Sequence, residues 1–260
     1  DYEMRKFAII IAMLLLFCSC RKLEEESIET TAQTELQTEI ITEIKTEPAT
    51  EIETEPPVDT TNDGIVSILM AGDVLLHDKV ANSGKMNDGT YNYDHMFSNV
   101  RSDIENADIA IVNQEVILGG RDLGLSGYPS FNGAFEVGDA IVSSGFDVVL
   151  HATNHALDKG KKGLLSCISF WEETYPEIAY LGISDTKEKS EEIYVVEKEG
   201  IRFAILNYTY GTNGIPLPSD MPYCVNILNK DRIKDDVSRA KEISDFVIVC
   251  PHWGTEYILT

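Results

Sequence analysis

Phe146-Asp147-Val148-Val149-Leu150-His151-Ala152-Thr153-Asn154-His155-Ala156-Leu157-Asp158-Lys159-Gly160 is the stretch on which the fold turns. Its short, β-branched apolar start reads as a buried strand. The run ends abruptly in His151, Asn154, His155 and Asp158, four groups able to bind a metal or move a proton. Polar chemistry is thus placed at a strand's carboxyl end.

The same arrangement recurs along the chain. Ile65 to Ala71 leads into Gly72-Asp73 and His77, Ile109 to Val112 into Asn113 and Glu115, Phe203 to Leu206 into Asn207, and Phe246 to Cys250 into His252 and Glu256. Ligands of α/β folds sit beyond the carboxyl ends of the strands, so these termini are expected to converge on one site. Four of the five histidines, His77, His151, His155 and His252, stand at such ends.

Helical spacing fills the gaps between these runs. Phe135 to Ser144 is amphipathic and stops before Gly145. Gly163 to Tyr175 carries Leu164, Leu165, Ile168, Phe170 and Trp171 and is closed by Pro176, and Lys230 to Ser244 repeats Ile233, Val237, Ala240 and Ile243. Strands alternating with helices predict a mainly parallel sheet. Ile193 to Arg202, with Gly200 as its turn, reads as a hairpin leading into the Phe203 strand. The glycine-rich stretch from Gly119 to Gly133 opens no helix, so it is expected to be a loop over the site and not a phosphate cradle.

Residues 1–22 have the order of an export signal. Arg5 and Lys6 precede an apolar run from Phe7 to Phe17, too short to span a bilayer comfortably, and Phe17-Cys18-Ser19-Cys20 resembles a lipobox whose Cys20 would carry the lipid. From residue 23 to 63 thirteen acidic residues stand against Lys45 alone, about half of the chain's net charge of −23. Threonine recurs every fourth position from Thr34 to Thr54. β-Branching, like-charged Glu neighbours, Pro48, Pro56 and Pro57 oppose a helix, so this segment is expected to be a solvated stalk. A flexible chain of that length has an end-to-end distance of about 35 Å.

The folded domain is expected over residues 64–260. Its acidic balance makes nucleic acid an unsuitable partner. Cys167, Cys224 and Cys250 are odd in number and widely spaced, which indicates neither a zinc knuckle nor a disulfide framework.

Five ordered motifs resemble the capsule-synthesis CapA family, associated with poly-γ-glutamate. They are Gly72-Asp73, Asn113-Gln114-Glu115, Ala152-Thr153-Asn154-His155-Ala156-Leu157-Asp158, Asn207-Tyr208-Thr209-Tyr210-Gly211-Thr212-Asn213-Gly214, and His252-Trp253-Gly254-Thr255-Glu256-Tyr257. That family is similar in fold to the calcineurin-like metallophosphoesterases, which implies a layered α/β sandwich. The chain stops at Thr260, before the Gly-His-His-Pro-His-like segment with which the family closes, so the sandwich is expected to be incomplete at its C-terminus. The resemblance implies Asp73, Glu115, Asn154 and His252 as ligands of divalent manganese, iron or zinc, and His155 as the proton-transfer group facing the substrate. Asp158 is either its catalytic partner or the cap of the next helix. Asn113, Asn207, Tyr210, Trp253 and Glu256 are expected to contact substrate, whereas His151 is expected to be structural and His77 follows Asp73 by too many residues for the usual ligand pair.

The implied protein is a lipid-anchored one on the extracytoplasmic face of the cell membrane. It would synthesise, export or process poly-γ-glutamate or a related anionic envelope polymer, alongside membrane proteins of capsule synthesis. Two alternatives remain open on the sequence: a non-catalytic polymer-binding assembly factor, and a metal-dependent phosphoesterase or hydrolase of other substrates.

Overall fold

The computed structural model describes residues 64–254. The export signal, Cys20, the threonine-rich segment and Glu256 lie outside the described residues.

Among the described residues seven strands form two sheets. β1 (Ile68–Asp73), β2 (Ile109–Asn113), β3 (Val148–Leu150) and β4 (Ala179–Leu181) make one parallel sheet in that order. β5 (Tyr194–Lys198), β6 (Ile201–Thr209) and β7 (Phe246–His252) make the second, with β5 antiparallel and β7 parallel to β6. The predicted hairpin is β5–β6. Glu199 and Gly200 both take positive φ, 56° and 76°, the pair of conformations that a two-residue turn matched to strand twist requires.

Alternation along the strands decides the layering. On β2, Ala110 and Val112 face one way and pack, with Val149 of β3, against Val137 and Ile141 of α3 (Phe135–Ser143) and Leu164, Ile168 and Trp171 of α4 (Gly160–Thr174). Ile109 and Ile111 face the other way and, with Val148 and Leu150, meet Phe203, Ile205 and Cys250 of the second sheet. The second sheet's outer face, Ala204, Leu206 and Tyr208, takes Ile233, Val237 and Ala240 of α6 (Lys230–Ile243). The result is a helix, sheet, sheet, helix sandwich, the layered α/β class expected. Each fully buried branched side chain contributes about 1.5–3 kcal/mol, so β2, buried along its whole length, is the strand on which both cores depend.

Caps and short elements complete the frame. Asn229 caps α6, its side-chain oxygen accepting from the N–H groups of Asp231 and Arg232 at 3.0 Å, a contribution of about 1 kcal/mol. Three single-turn helices, α1 (Asp78–Ser83), α2 (Arg101–Glu105) and α5 (Lys187–Glu191), and the three-residue β4 were not foreseen, because a segment so short has no readable period. The glycine-rich Gly119–Gly133 region is a loop with one short 3-10 turn, Arg121–Leu123, as predicted.

Candidate functional site

Four strand ends deliver the polar cluster. Between β1 and β2 the register slips by one, so that Asp73 and not Gly72 stands opposite Asn113. β2 then runs out through Asn113 to Glu115. After β3 the backbone of residues 152–155 is pinned from two sides: Thr153 Oγ1 donates to the Glu115 carbonyl at 2.7 Å, and the Ala152 N–H donates to Asn207 Oδ1 at 2.7 Å. This fixes Asn154 and His155 beside Glu115. β7, from the second sheet, ends at His252.

His252 is the hub. Its Nε2 lies 3.0 Å from Asn154 Oδ1 and 3.8 Å from Glu115 Oε1, and its Nδ1 lies 3.6 Å from Asp73 Oδ1 and 3.4 Å from Asn113 Nδ2. Asn154 Nδ2 donates to Asn213 Oδ1 at 3.1 Å, so Asn154 Oδ1 is the acceptor and Nε2 of His252 carries the proton. Asn113 Nδ2 donates to Asp73 Oδ1 at 2.5 Å. Burial holds the His252 imidazole below the ordinary histidine range, opposed by the Asp73 carboxylate and reinforced by the His155 ring. An ion held at Nε2 would take the place of that proton, with the ring still neutral and its proton moved to Nδ1, on the Asp73 side.

His155 forms a second unit. Its Nδ1 lies 2.7 Å from Asp158 Oδ2, and a carboxylate only accepts, so the proton sits on Nδ1 and Nε2 is left facing the cluster, 3.9 Å from Glu115 Oε1. The 3.3 Å approach of Asn213 Nδ2 to the same Nδ1 is donor against donor and therefore a packing contact. Phe131 holds the imidazole edge-on at 4.7 Å, and its N–H donates to Asp158 Oδ2 at 2.7 Å. Ring, carboxylate and backbone are locked together, which orients Nε2.

The family model described as bacterial capsule synthesis protein PGA_cap matches residues 67–260. The chain belongs to the PGA_cap family. It is 26% identical over 216 residues to the capsule biosynthesis protein CapA of Bacillus anthracis, covering 77% of this chain and 49% of that one, so the chain spans about half the length of the curated relative it matches. Among solved structures it is similar to a phosphatase from Mycoplasma pneumoniae, with 15% identity, 73% of this chain and 56% of that chain covered and a TM-score of 0.35. It is also similar to the NAD nucleotidase of Haemophilus influenzae, with 15% identity, 74% and 34% covered and a TM-score of 0.41.

In this PGA_cap chain the expected metal ligands meet, but not as a single ring of four. Among the described residues no three His, Cys, Asp or Glu side chains form a metal-holding group by themselves. The reason lies in His252: Asp73 stands on its Nδ1 side and Glu115 on its Nε2 side, and one imidazole does not aim both nitrogens at one ion. On the Nε2 side the amide oxygen of Asn154 completes an arc of two oxygens and one nitrogen. Bonds of about 2.1 Å place adjacent donors of a divalent ion about 3.0–3.5 Å apart; the 3.0 Å between His252 and Asn154 falls in that range and the 3.8 Å between His252 and Glu115 lies just above it. The arc Glu115, Asn154 and His252 therefore fits one hard or borderline ion. Asp73, half exposed and held by Asn113, belongs to the opposite side of the hub.

Other residues take different places from those expected. Asn207 is a correction: its carboxamide is buried between the sheets, accepting from Ala152 N–H and donating to the Cys250 carbonyl at 3.0 Å, so it staples the frame and does not face a substrate. Asn113 is likewise turned to Asp73 and the edge of His252. Asp158 does not cap α4, whose N-cap is Lys159; it partners His155. His151 is buried, its Nε2 accepting from Trp171 Nε1 at 2.8 Å, and burial pushes its pKa down to about 3. His77 packs on Tyr128 and Phe131, away from the hub. Tyr210 borders the site, stacked on His252 at 6.3 Å, and Trp253 is exposed. The sequence reading missed Phe131, Thr153 and Asn213 as site residues. The Asn213-Gly214 pair was the available signal for the last, since Asn213 adopts φ 51° and Gly214 φ 77°.

Proposed function

We propose that this chain is a metal-dependent hydrolase or transferase that acts on a cell-envelope polymer, poly-γ-glutamate or a relative of it, from the extracytoplasmic face of the membrane. One observation carries the reading. Glu115 Oε1 lies 3.9 Å from Nε2 of His155 and 3.8 Å from Nε2 of His252, and the two histidines differ in their surroundings: Asp158 holds Nδ1 of His155 at 2.7 Å, whereas Asp73 stands 3.6 Å from Nδ1 of His252 and Asn154 Oδ1 lies 3.0 Å from its Nε2. That division separates a proton-moving histidine from a ligating one.

Glu115, Asn154 and His252 would hold the ion. Bound there, manganese, iron or zinc supplies Lewis acidity toward a carbonyl or phosphoryl oxygen. His155, with its proton on Nδ1, takes a proton at Nε2 from an attacking group and returns it to the leaving group, while Asp158 steadies the imidazolium that forms between the two steps. Phe131 covers one side of that ring and keeps bulk water from it. Lipid at Cys20 and the acidic segment of residues 23–63 would hold the domain at a distance from the bilayer, within reach of polymer and of membrane proteins of capsule synthesis.

The test is manganese titration of the full chain by calorimetry, together with turnover of poly-γ-glutamate and of aryl phosphate esters. Asn154→Ala and His252→Ala are expected to lower manganese affinity at least about tenfold, as loss of one ligand does. His155→Ala should keep the affinity and lose turnover. Unchanged affinity in both ligand variants, or turnover retained without His155, overturns the reading. Absence of turnover in the wild type with polymer binding intact favours an assembly factor.

A further inference from the structure

Lys159-Gly160-Lys161-Lys162 is the only place in the sequence where three lysines fall within four residues, and no carboxylate follows until Glu172. That is a local exception in a chain of net charge −23. The lysines open α4 directly after Asp158, the partner of His155. Cations in a first turn oppose the helix dipole, and α4 has no acidic residue there to offset them, so helix stability does not account for their position.

Packing fixes where two of the three side chains go. Lys161 donates to Asp220 in the loop between β6 and α6, and the same loop carries Asn213, which meets Asn154 at 3.1 Å and His155 at 3.3 Å. The stem of Lys159 lies in the space left by the missing side chain of Gly163, with Leu123 of the glycine-rich loop beside it, and that loop brings Phe131 to the His155 ring. Lys162 is exposed. The lysines therefore touch both loops that frame His155. Lys159 and Lys162 enter no ion pair among the described residues, whereas every arginine there, Arg101, Arg121, Arg202, Arg232 and Arg239, is engaged by a carboxylate of the chain.

We infer that Lys159, Lys161 and Lys162 form a subsite that takes the free carboxylates of poly-γ-glutamate and holds the polymer beside His155, with Lys161 leaving Asp220 for a polymer carboxylate. This rests on the polymer reading of the site and names the residues that recognise the polymer's charge. Asp73, Glu115 and Asp158 repel a polyanion, so the attraction has to come from outside the cluster. One helical turn rises about 5.4 Å, and an extended γ-linked glutamate chain bears a carboxylate about every 6 Å, so neighbouring carboxylates reach neighbouring lysines. Polyphosphate carries its charges more densely and suits the arginine fork, and the arginines are already engaged.

The test follows the anisotropy of labelled poly-γ-glutamate titrated with the full chain at low salt, with EDTA present so that no metal contributes. Lys159→Gln, Lys161→Gln and Lys162→Gln together are expected to weaken binding at least about tenfold, and Arg at the same three positions should hold the wild-type affinity within about threefold. A control with Lys198→Gln, Lys234→Gln and Lys241→Gln loses the same charge elsewhere and should change affinity less than about twofold. Asp220→Asn frees Lys161 and should tighten binding about twofold or more, the opposite of what loss of a purely structural ion pair would do. Unchanged affinity in the Gln variant, an equal loss in the control, failure of Arg to hold binding, or no gain in Asp220→Asn overturns the subsite and leaves the polymer reading standing. Polyphosphate bound as tightly as poly-γ-glutamate overturns the assignment to a polycarboxylate. No binding of poly-γ-glutamate by the wild type defeats the polymer reading itself, and this inference with it.

Discussion

His151 sets an acid limit on the stability of this domain. Its imidazole is buried beside Cys167 and accepts the Trp171 indole N–H at 2.8 Å, so it is neutral in the folded chain, with burial pushing its pKa from 6.5 to about 3. Folding depresses the pKa. The unfolded chain therefore binds more protons between about pH 6.5 and about pH 3, and stability rises with pH across that window and is fully present above it. Lowering the pH from about 7.5 to about 5 protonates the unfolded histidine alone and removes about 2 kcal/mol. For a domain near 200 residues this is about 4–8 °C in melting temperature. The assay is urea unfolding at the two pH values, followed by the fluorescence of Trp171, whose indole changes environment as the contact breaks. His151→Gln keeps an acceptor for the indole and cannot titrate, so its own loss of stability between the two pH values should be smaller than the wild type's by about 2 kcal/mol. Equal pH dependence in the two proteins, within about 0.5 kcal/mol, refutes the argument that this histidine is buried neutral.

The inter-sheet staple and the lipid proposed at Cys20 give three more expectations. Gly182 has φ 94°, and a Cβ there would collide with Asn207 Oδ1 and the Ala152 nitrogen, so Gly182→Ala should cost about 3 kcal/mol or more in thermal or urea unfolding; Asn207→Leu, which leaves Ala152 N–H and the Cys250 carbonyl without their partner, should cost about 2–4 kcal/mol. A loss below about 1 kcal/mol in either would show that the sheets are not held together at this point. For the anchor, Cys20→Ala should move the full chain from the membrane to the soluble fraction, and unchanged membrane retention would count against lipidation of Cys20.

The sequence by itself determined the α/β class and the identity of the residues at the strand ends. β-Branched runs ending in Asp73, Glu115, Asn154 and His252 are local facts, and the period of a strand or of a helix such as α4 or α6 is written in neighbouring residues. It also separated His151 as structural from His155, the other histidine of its stretch. Only the tertiary structure decided that the strands divide into two sheets, because the two faces of β2 are equally apolar in sequence and the partner of each face comes from far along the chain. The same long-range packing turned Asn207 from a substrate contact into a staple, paired Asp158 with His155, and brought Asn213 and Phe131 to the site over 58 and 24 residues. It placed Asp73 and Glu115 on opposite nitrogens of His252, since the direction of a side chain across a sheet edge depends on the register slip at Asp73 and on where β7 docks. Residue type is local chemistry, whereas which donors share one point in space is set by packing between segments that the chain joins only by folding.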